Sequence, residues 1–206
     1  MPRVHELLNR LTAPSRSRHA GAIVMFGSPS PMDRIVSSAY FGVAARQWAR
    51  YGDDPSHLQP YEFGLEHCQE PVRVLDLGTG TGGSAALAAS RWPGARVVGF
   101  DASRNMLRLA RQRHARSNLE FCRGSLLQLP FPDGEFDLVT MLNAVPELGE
   151  LRRVTVAGAE VLVANTTHPP HDPGSPWTAR WREMGFAAEA GSEISGGSWE
   201  RYRRIA

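Results

Sequence analysis

Two histidines and an aspartate stand close together in the last third of the sequence, and side chains of these types can remove protons or bind metal ions. His168, His171 and Asp172 lie in a loop stiffened by three prolines. Imidazole is well suited to accept a proton near neutral pH, so His168 and His171 are candidates for a general base or for substrate orientation. The spacing matches no helix-borne or zinc-ribbon pattern, and we predict no metal site. An exposed loop without a catalytic role is the remaining alternative.

A glycine-rich segment at residues 72–83 is the second candidate for chemistry. An apolar run that contains Asp76 is followed by four glycines: Gly78, Gly80, Gly82 and Gly83. Glycine lets the backbone turn sharply and come close to a ligand. A helix that begins near Gly83 would direct its first amide groups at that ligand. The segment therefore predicts a turn that binds a nucleotide-like molecule.

Three further features narrow the kind of ligand, because a Gly-x-Gly-x-x-Gly pattern by itself serves several cofactors. Asp76 stands where a dinucleotide dehydrogenase normally has an apolar residue or glycine. Asp101 follows Gly83 by 18 residues and ends the next predicted strand, where it could accept hydrogen bonds from ribose hydroxyls. A later strand leads to Ser125 and Leu126 and then to a Leu-Pro-Phe-Pro-Asp-Gly-Glu-Phe-Asp segment.

In this combination and order, the motifs resemble those of the class I S-adenosylmethionine (SAM)-dependent methyltransferases, particularly the type that acts on small molecules. The resemblance covers residues 72–163. It implies a Rossmann-like, seven-stranded, mainly parallel α/β sheet with helices on both faces. It also implies SAM as the cofactor and S-adenosyl-L-homocysteine as the product.

The same resemblance implies a role for individual residues. The family usually has aspartate at the position of Ser125, whose hydroxyl would accept a hydrogen bond from adenine more weakly than a carboxylate. The predicted cofactor-binding set contains Asp76 and nine further residues. These are Gly78, Gly80 and Gly82 along the methionine and ribose, Asp101 at the ribose hydroxyls, Ala102 and Met106 beside the adenine, Ser125 and Leu126 at the adenine edge, and Asn143 below the methionine.

The elements that must position these residues can be read from apolar patterns and from proline and glycine. Val72, Val74, Leu75 and Leu77 form the near-continuous apolar run of a parallel strand covered on both faces. We predict further strands at 95–100, 119–122, 136–142 and 158–165, and a closing hairpin from 186–194 and 198–205. Helices are predicted from Pro55 to Leu65, from Gly83 to Trp92, after a cap at Ser103, over 147–154 and over 177–184.

Three parts of the chain are expected from composition and pattern. Residues 1–30 are rich in arginine and poor in acid, which predicts a mobile basic tail or short leading helix; an organelle-targeting segment is the less favoured alternative. Residues 31–70 should form a small helical lid over the mouth of the cofactor site, as the resemblance implies. Residues 71–206 should form the SAM-binding domain.

Aromatic side chains of the lid are candidates for the wall of a substrate pocket. Tyr40, Trp48 and Tyr51 are the predicted substrate-binding residues of the lid, and Trp177 of the later helix could border the same pocket. The favoured alternative is packing, because Tyr40 and Trp48 recur at helical spacing with other apolar residues and Trp177 shares a helix face with Trp181.

Composition excludes several classes of function. The chain has 206 residues with 42% apolar content, enough for one full core. The absence of lysine excludes Schiff-base chemistry, and a net charge of +2 is too small to indicate a nucleic-acid partner. Two cysteines are too few for a disulfide framework, and no apolar run reaches membrane-spanning length. We expect a cytoplasmic monomer or homodimer that acts on a small molecule.

The segment after the fourth strand bears on the kind of methyl transfer. Asn143 is followed by Ala-Val-Pro, which lacks the paired prolines and aromatic ring of methyltransferases that act on amino groups of bases or glutamine. With a possible histidine base nearby, oxygen is slightly favoured as the acceptor atom. One alternative is a SAM-binding protein without methyl transfer, which would assist an elimination or cyclisation or sense the ligand. A nicotinamide-dependent oxidoreductase is disfavoured by Asp76 and by the Pro-Phe-Pro-Asp-Gly stretch.

Overall fold

The computed structural model describes residues 52–144, 146–166, 173–194 and 197–205. In these ranges the chain forms five helices and seven strands, and the strands build one sheet. None of the helices in the described ranges is long and apolar enough to cross a membrane. The elements are α1 Pro55–Leu65, β1 Arg73–Leu77, α2 Gly83–Arg91, β2 Arg96–Asp101, α3 Arg104–Arg113, β3 Leu119–Arg123, β4 Phe136–Leu142, α4 Leu148–Val154, β5 Thr155–Asn165, α5 Pro176–Glu183, β6 Phe186–Ile194 and β7 Gly197–Arg204.

The strand order is β3-β2-β1-β4-β5-β7-β6. The first five strands of this order run parallel, and β7 pairs antiparallel with both β5 and β6. The carboxyl ends of β1, β2, β4 and β5 therefore meet at one edge of the sheet, which is where ligands bind in open parallel sheets. This topology confirms the predicted Rossmann-like, mainly parallel sheet.

Alternate residues of the central strands face two separate apolar clusters, because successive side chains of a strand point to opposite faces. On one face, strand residues such as Val74 and Leu138 pack with Tyr61 of α1 and with the alanines of α2. On the other face, Leu75 and Val139 pack with side chains of α4 and α5. The sheet is therefore covered on both faces, as the apolar runs predict.

Side-chain caps fix where several helices begin. The Asp54 carboxylate accepts a hydrogen bond from the Ser56 amide at 2.9 Å, just before α1. The Ser103 hydroxyl accepts one from the Met106 amide at 3.3 Å, at the start of α3. Such caps satisfy first-turn amides that have no partner inside the helix. They confirm the predicted starts of these two helices.

Apart from one-residue shifts at several element ends, the structure differs from the predicted elements in two places. Val72 does not belong to the buried run, because it is 69% exposed and precedes β1. Its amide instead donates to the Asp137 carboxylate at 2.8 Å. Strand β5 begins at Thr155 rather than at 158, directly after α4, and passes Gly158 at a φ of 79° beside an irregularity in its pairing with β4.

Candidate active site

The predicted glycine turn lies between the carboxyl end of β1 and the start of α2. Gly78, Gly80 and Gly82 have φ values of 73°, 54° and 92°, in the left-handed region that side chains with a Cβ disfavour. The amides of Gly78 and Thr79 donate to the carbonyl of Phe100 on β2, at 2.8 and 3.1 Å. The sequence needs glycine here because the backbone must reverse direction while it stays bonded to β2.

The three glycines differ in what lies beside them. A Cβ added to Gly78 would come within 2.7 Å of Ala144 Cβ, and one added to Gly82 within 2.9 Å of Ala110 Cβ. At Gly80, the nearest described atom would be the Gly78 carbonyl oxygen, at 3.9 Å. Gly78 and Gly82 thus pack against the protein, whereas at Gly80 no atom of the described residues would crowd a Cβ. A ligand can approach the turn at Gly80.

Asp101 joins the end of β2 to this open part of the turn. Its Oδ2 atom accepts a hydrogen bond from the Gly80 amide at 2.9 Å, and its Oδ1 atom accepts one from the Ser103 amide at 2.7 Å. Burial raises the pKa of Asp101, while these backbone amides act in the opposite direction. Each carboxylate oxygen can accept a further bond. The carboxylate is therefore held in a fixed orientation in which it could also accept from ribose hydroxyls.

Asp76 lies beneath the turn, where it is 1% exposed. Its carboxylate accepts hydrogen bonds from the hydroxyls of Ser84 at 2.7 Å and Thr140 at 2.9 Å, and Thr140 in turn accepts from the Tyr61 hydroxyl at 2.8 Å. Burial raises the pKa of Asp76 to about 6, against the opposing effect of these hydroxyls. Burial and the nearby Asp76 raise the pKa of Tyr61, so that it remains a hydroxyl donor. The network connects α1, β1, α2 and β4 below the site.

A second polar cluster lies at the start of α2. The Asp53 carboxylate contacts Arg113 Nη1 at 2.9 Å and His114 Nε2 at 3.3 Å, both at the end of α3. Burial would raise the pKa of Asp53, but His114 and Arg113 outweigh it and leave the pKa lowered. The Thr81 hydroxyl lies 3.4 Å from the same carboxylate. Asp53 thus ties the segment before α1 to the glycine turn and to α3.

The residues predicted to surround the adenine occupy the loops after β2 and β3. Ala102 is exposed directly after Asp101, and Met106 is buried in the first turn of α3. The Ser125 hydroxyl is exposed and accepts a hydrogen bond from the Leu127 amide at 3.2 Å. Leu126 is half-buried against the core. Their roles at an adenine stay predictions.

Asn143 directly follows β4 at the same edge of the sheet, with a φ of 54°. Its side chain is bonded to Thr166, which follows β5. Trp177 lies on α5, packs against Trp181 at 5.9 Å between ring centroids, and contacts the core cluster on that face. This contact agrees with the packing alternative for Trp177, and its role in a substrate pocket stays a prediction.

Several predicted residues lie outside the part of the chain that the structure describes. These are Tyr40, Trp48 and Tyr51 of the predicted lid, together with His168, His171 and Asp172. The predicted tail at 1–30 and most of the predicted lid at 31–70 lie outside it as well. Their roles stay predictions.

Three residues of the site were not singled out from the sequence: Tyr61, Thr140 and Asp53. The signal for Thr140 is a polar residue inside an apolar strand, at the position that pairs with Asp76 of β1. Two polar residues at the same depth of neighbouring buried strands indicate a hydrogen bond between them. Tyr61 and Asp53 had no comparable signal, because neither lies in a strand whose pairing would place it beside its partner.

The described residues fit a SAM molecule in three respects. The turn at Gly80 is open, the Asp101 carboxylate is fixed beside it, and the loops after β2 and β3 border the same edge of the sheet. A family described as "Methyltransferase domain" matches residues 74–163, the region that contains the glycine turn, Asp101 and Asn143.

Similar proteins extend this finding. A demethylmenaquinone methyltransferase of Thermus thermophilus is 42% identical over 109 residues, which cover 48% of this chain and 50% of that protein. A ubiquinone/menaquinone biosynthesis C-methyltransferase of Desulfotalea psychrophila is 39% identical over 104 residues, covering 47% and 42% of the two proteins. The chain spans about half the length of the curated relatives it matches.

The fold is shared with solved structures at lower sequence identity. A SAM-dependent methyltransferase from Aquifex aeolicus superposes with a TM-score of 0.64 at 22% identity, over 78% of this chain and 98% of that one. The chain is therefore similar to SAM-dependent methyltransferases in sequence over residues 74–163 and in fold.

Proposed function

We propose that this chain binds SAM at the carboxyl edge of its sheet and transfers the methyl group to a small-molecule acceptor. The observation that carries this proposal is the hydrogen bond between Asp101 and the Gly80 amide. It fixes a carboxylate that could accept ribose hydroxyls next to the one glycine of the turn whose Cβ position is open among the described residues. Chance glycine patterns have no reason to meet an aspartate in this way.

The protein's own groups would hold the cofactor and keep the turn in place. Asp101 would accept the ribose hydroxyls, and the backbone at Gly80 would lie against the ligand. Asp76 would act from below, because its oxygens are already bonded to Ser84 and Thr140. When bound, SAM supplies a methyl group on a sulfonium centre, so the remaining task is to align the acceptor, which can contribute roughly 7 to 11 kcal/mol.

We further propose that the acceptor atom is a carbon of a quinol-like ring. The support comes from the relatives, which are named as demethylmenaquinone methyltransferases and as a C-methyltransferase. The oxygen acceptor favoured from the sequence has no support among them, and we replace it with carbon. An aromatic carbon that gains a methyl group must lose its proton to a base, and His168 and His171 remain the residues predicted for this step.

The test has a binding arm and a transfer arm. Thermal unfolding is measured alone and with SAM, S-adenosylhomocysteine or NAD, each at 100 times its dissociation constant. Such a ligand adds about 2.7 kcal/mol to the free energy of unfolding, which raises the Tm by roughly 5 to 11 °C for a domain of this size. We expect a rise with SAM and S-adenosylhomocysteine. A rise with NAD alone would refute the proposal.

In the transfer arm, the chain is incubated with SAM carrying a labelled methyl group and with a reduced, short-chain demethylmenaquinone analogue. We expect the label on a ring carbon, as located by NMR of the product. Label on the quinol oxygen would refute the carbon acceptor and leave methyl transfer standing. Binding of SAM without transfer to this acceptor or to other small phenols would favour the alternative, a SAM-binding protein that does not transfer methyl groups.

A further inference from the structure

Asn143 combines two unusual properties at the carboxyl edge of the sheet. Among the described residues, it is the one non-glycine residue with a positive φ. The amide nitrogen and the amide oxygen of its side chain are both bonded to the same described residue, Thr166. Residues held in sparsely populated backbone conformations cluster at functional sites. Asparagine tolerates the left-handed region better than most residues, so this position has the side chain that such a conformation favours.

The bonds between the two residues are reciprocal. The Asn143 Nδ2 group donates to Thr166 Oγ1 at 3.0 Å, and the Thr166 backbone amide donates to Asn143 Oδ1 at 2.9 Å. The Asn143 backbone amide in turn donates to the Ala164 carbonyl at 2.9 Å. We call this set of bonds the Asn143–Thr166 clasp. It joins the chain after β4 to the chain after β5.

The clasp lies next to the glycine turn. Ala144, the next residue after Asn143, has its Cβ within 2.7 Å of where a Cβ of Gly78 would be. The chain after Asn143 is thus in contact with the turn that is proposed to hold the cofactor. Leu142 and Ala164 are register partners, so the clasp is the first connection past the paired ends of β4 and β5.

From this placement we infer that Thr166 is a positioning residue for methyl transfer, which acts through Asn143. The inference rests on the proposed function. The clasp sets the direction in which two chain segments leave the sheet beside the cofactor site, where an acceptor must enter. Alignment is the main contribution of the protein to this reaction, and a misplacement of about 1 Å can cost about a hundredfold in rate.

A structural role alone would have a different signature. Asn143 is exposed and Thr166 is half-buried, so the bonds between their side chains compete with water and contribute little to stability. Loss of the bond between Asn143 Nδ2 and Thr166 Oγ1, which is the bond of the clasp that a valine removes, should therefore leave the Tm nearly unchanged and lower the rate. Thr155 offers a matched control, since it stands at the opposite end of the same strand and its buried hydroxyl donates to the Leu151 carbonyl at 2.8 Å.

The experiment compares Thr166→Val, Thr166→Ser and Thr155→Val with the parent chain. In Thr166→Val we expect kcat/KM for the quinol analogue to fall about tenfold, with the Kd for SAM and the Tm unchanged. In Thr166→Ser, which keeps the hydroxyl, we expect activity within about threefold of the parent. In Thr155→Val we expect the Tm to fall by about 3 °C and kcat/KM to stay unchanged.

The single variant Asn143→Gly and the double variant Thr166→Val with Asn143→Gly test whether one residue acts through the other. We expect the double variant to be no slower than the slower single variant, because residues in one hydrogen-bond network are not additive. Fully additive losses would overturn the inference. So would a Thr166→Val variant with parental activity, or a serine variant as slow as the valine variant.

Hydrogen exchange tests the Asn143–Thr166 clasp independently of the proposed function. If the parent chain transfers no methyl group, the proposed function fails, and exchange at the amides of Asn143 and Thr166 still tests the clasp. We expect Thr166→Val to speed exchange at Asn143, and Thr155→Val to leave it unchanged. Unchanged exchange in Thr166→Val would show that the side-chain bonds hold nothing in place, and would overturn the inference independently of activity.

Discussion

The two ends of the sheet use similar side chains for different purposes. At the carboxyl end, Asp101 accepts hydrogen bonds from the amides of Gly80 and Ser103 and remains partly exposed beside the glycine turn. At the amino end, Asp137 accepts the amides of Val72 and Arg73, both at 2.8 Å. The chemistry of the two aspartates is the same. What distinguishes Asp101 is that its partner amide, that of Gly80, belongs to a left-handed turn at the carboxyl ends of the strands, where no described atom lies close to the Cβ position.

The amino end shows how polar groups are satisfied by the protein itself. Arg153 donates to both oxygens of Glu150 at 2.8 Å, to Asp133 at 2.9 Å and to two backbone carbonyls. Hydrogen bonding by Arg153 lowers the pKa of Glu150 to about 2. The N–H donors of the Arg153 guanidinium are thus bonded to groups of the same chain. At the carboxyl end, the corresponding groups keep acceptor capacity for a ligand.

The largest expected effect comes from replacing the aspartate at each end of the sheet, Asp101 and Asp137, by alanine. In Asp101→Ala we expect the affinity for SAM to fall roughly 10- to 150-fold, because hydrogen bonds to a charged group are worth about 1.5 to 3 kcal/mol. Isothermal titration calorimetry measures the change. The control, Asp137→Ala, should lower the Tm and leave the Kd for SAM within about twofold. Equal losses of affinity in the two variants would show that Asp101 acts only on the fold.

The second prediction concerns the buried carboxyl of Asp76. Burial raises its pKa in the folded protein to about 6, from an ordinary value of 3.8. The folded protein therefore binds this proton more tightly than the unfolded chain. The stability that the group contributes is full below pH 3.8 and is lost as the pH rises through 6.

The measurement is urea unfolding of the parent chain and of Asp76→Asn between pH 4.5 and 7.5. The free energy of unfolding of the parent, minus that of the variant, should decrease with rising pH, by roughly 2 to 3 kcal/mol at most. The asparagine variant removes the titrating group, and all other carboxyls cancel in the difference. A difference that is constant across this pH range would contradict the raised pKa.

The smallest expected effect comes from replacing two glycines, Gly80 and Gly158, by alanine and comparing the variants. Gly80 and Gly158 have φ values of 54° and 79°, and a Cβ at either would meet no described atom closer than 3.9 Å. Alanine at each position should cost roughly 1 to 2 kcal/mol of stability through the left-handed backbone alone. Gly80→Ala should also weaken SAM binding several-fold, while Gly158→Ala should not. Equal affinities in the two variants would mean that Gly80 does not face the ligand.

The sequence was informative wherever a structure depends on neighbours along the chain. The bounds of β4, the cap at Ser103 and the left-handed glycines of the turn follow from apolar runs, hydroxyl caps and glycine. Asp101 ends β2, as the sequence pattern 18 residues past Gly83 predicts, and its carboxylate bonds to the turn. These inferences need only local pattern and the known geometry of a sheet.

The sequence was silent where a contact joins distant segments. Tyr61 meets Thr140 across 79 positions of the chain, and Asp53 meets His114 across 61. Neither pairing produces a periodic pattern in the amino-acid sequence. Val72 was misplaced for a related reason: an apolar residue at the start of a run looks buried, although the strand begins one residue later. The direction of the Asn143 side chain, toward Thr166, likewise depends on how β4 and β5 are aligned.

The placement of β7 between β5 and β6 has a consequence for how the protein is made. Among the described strands, β6 pairs with β7 alone, although β6 comes first in the sequence. During folding, β6 and the edge of β5 therefore stay unpaired until β7 takes its place between them. Unpaired strand edges are the places where incomplete chains associate with one another. A chain cut short before β7 would keep both edges open and would tend to aggregate.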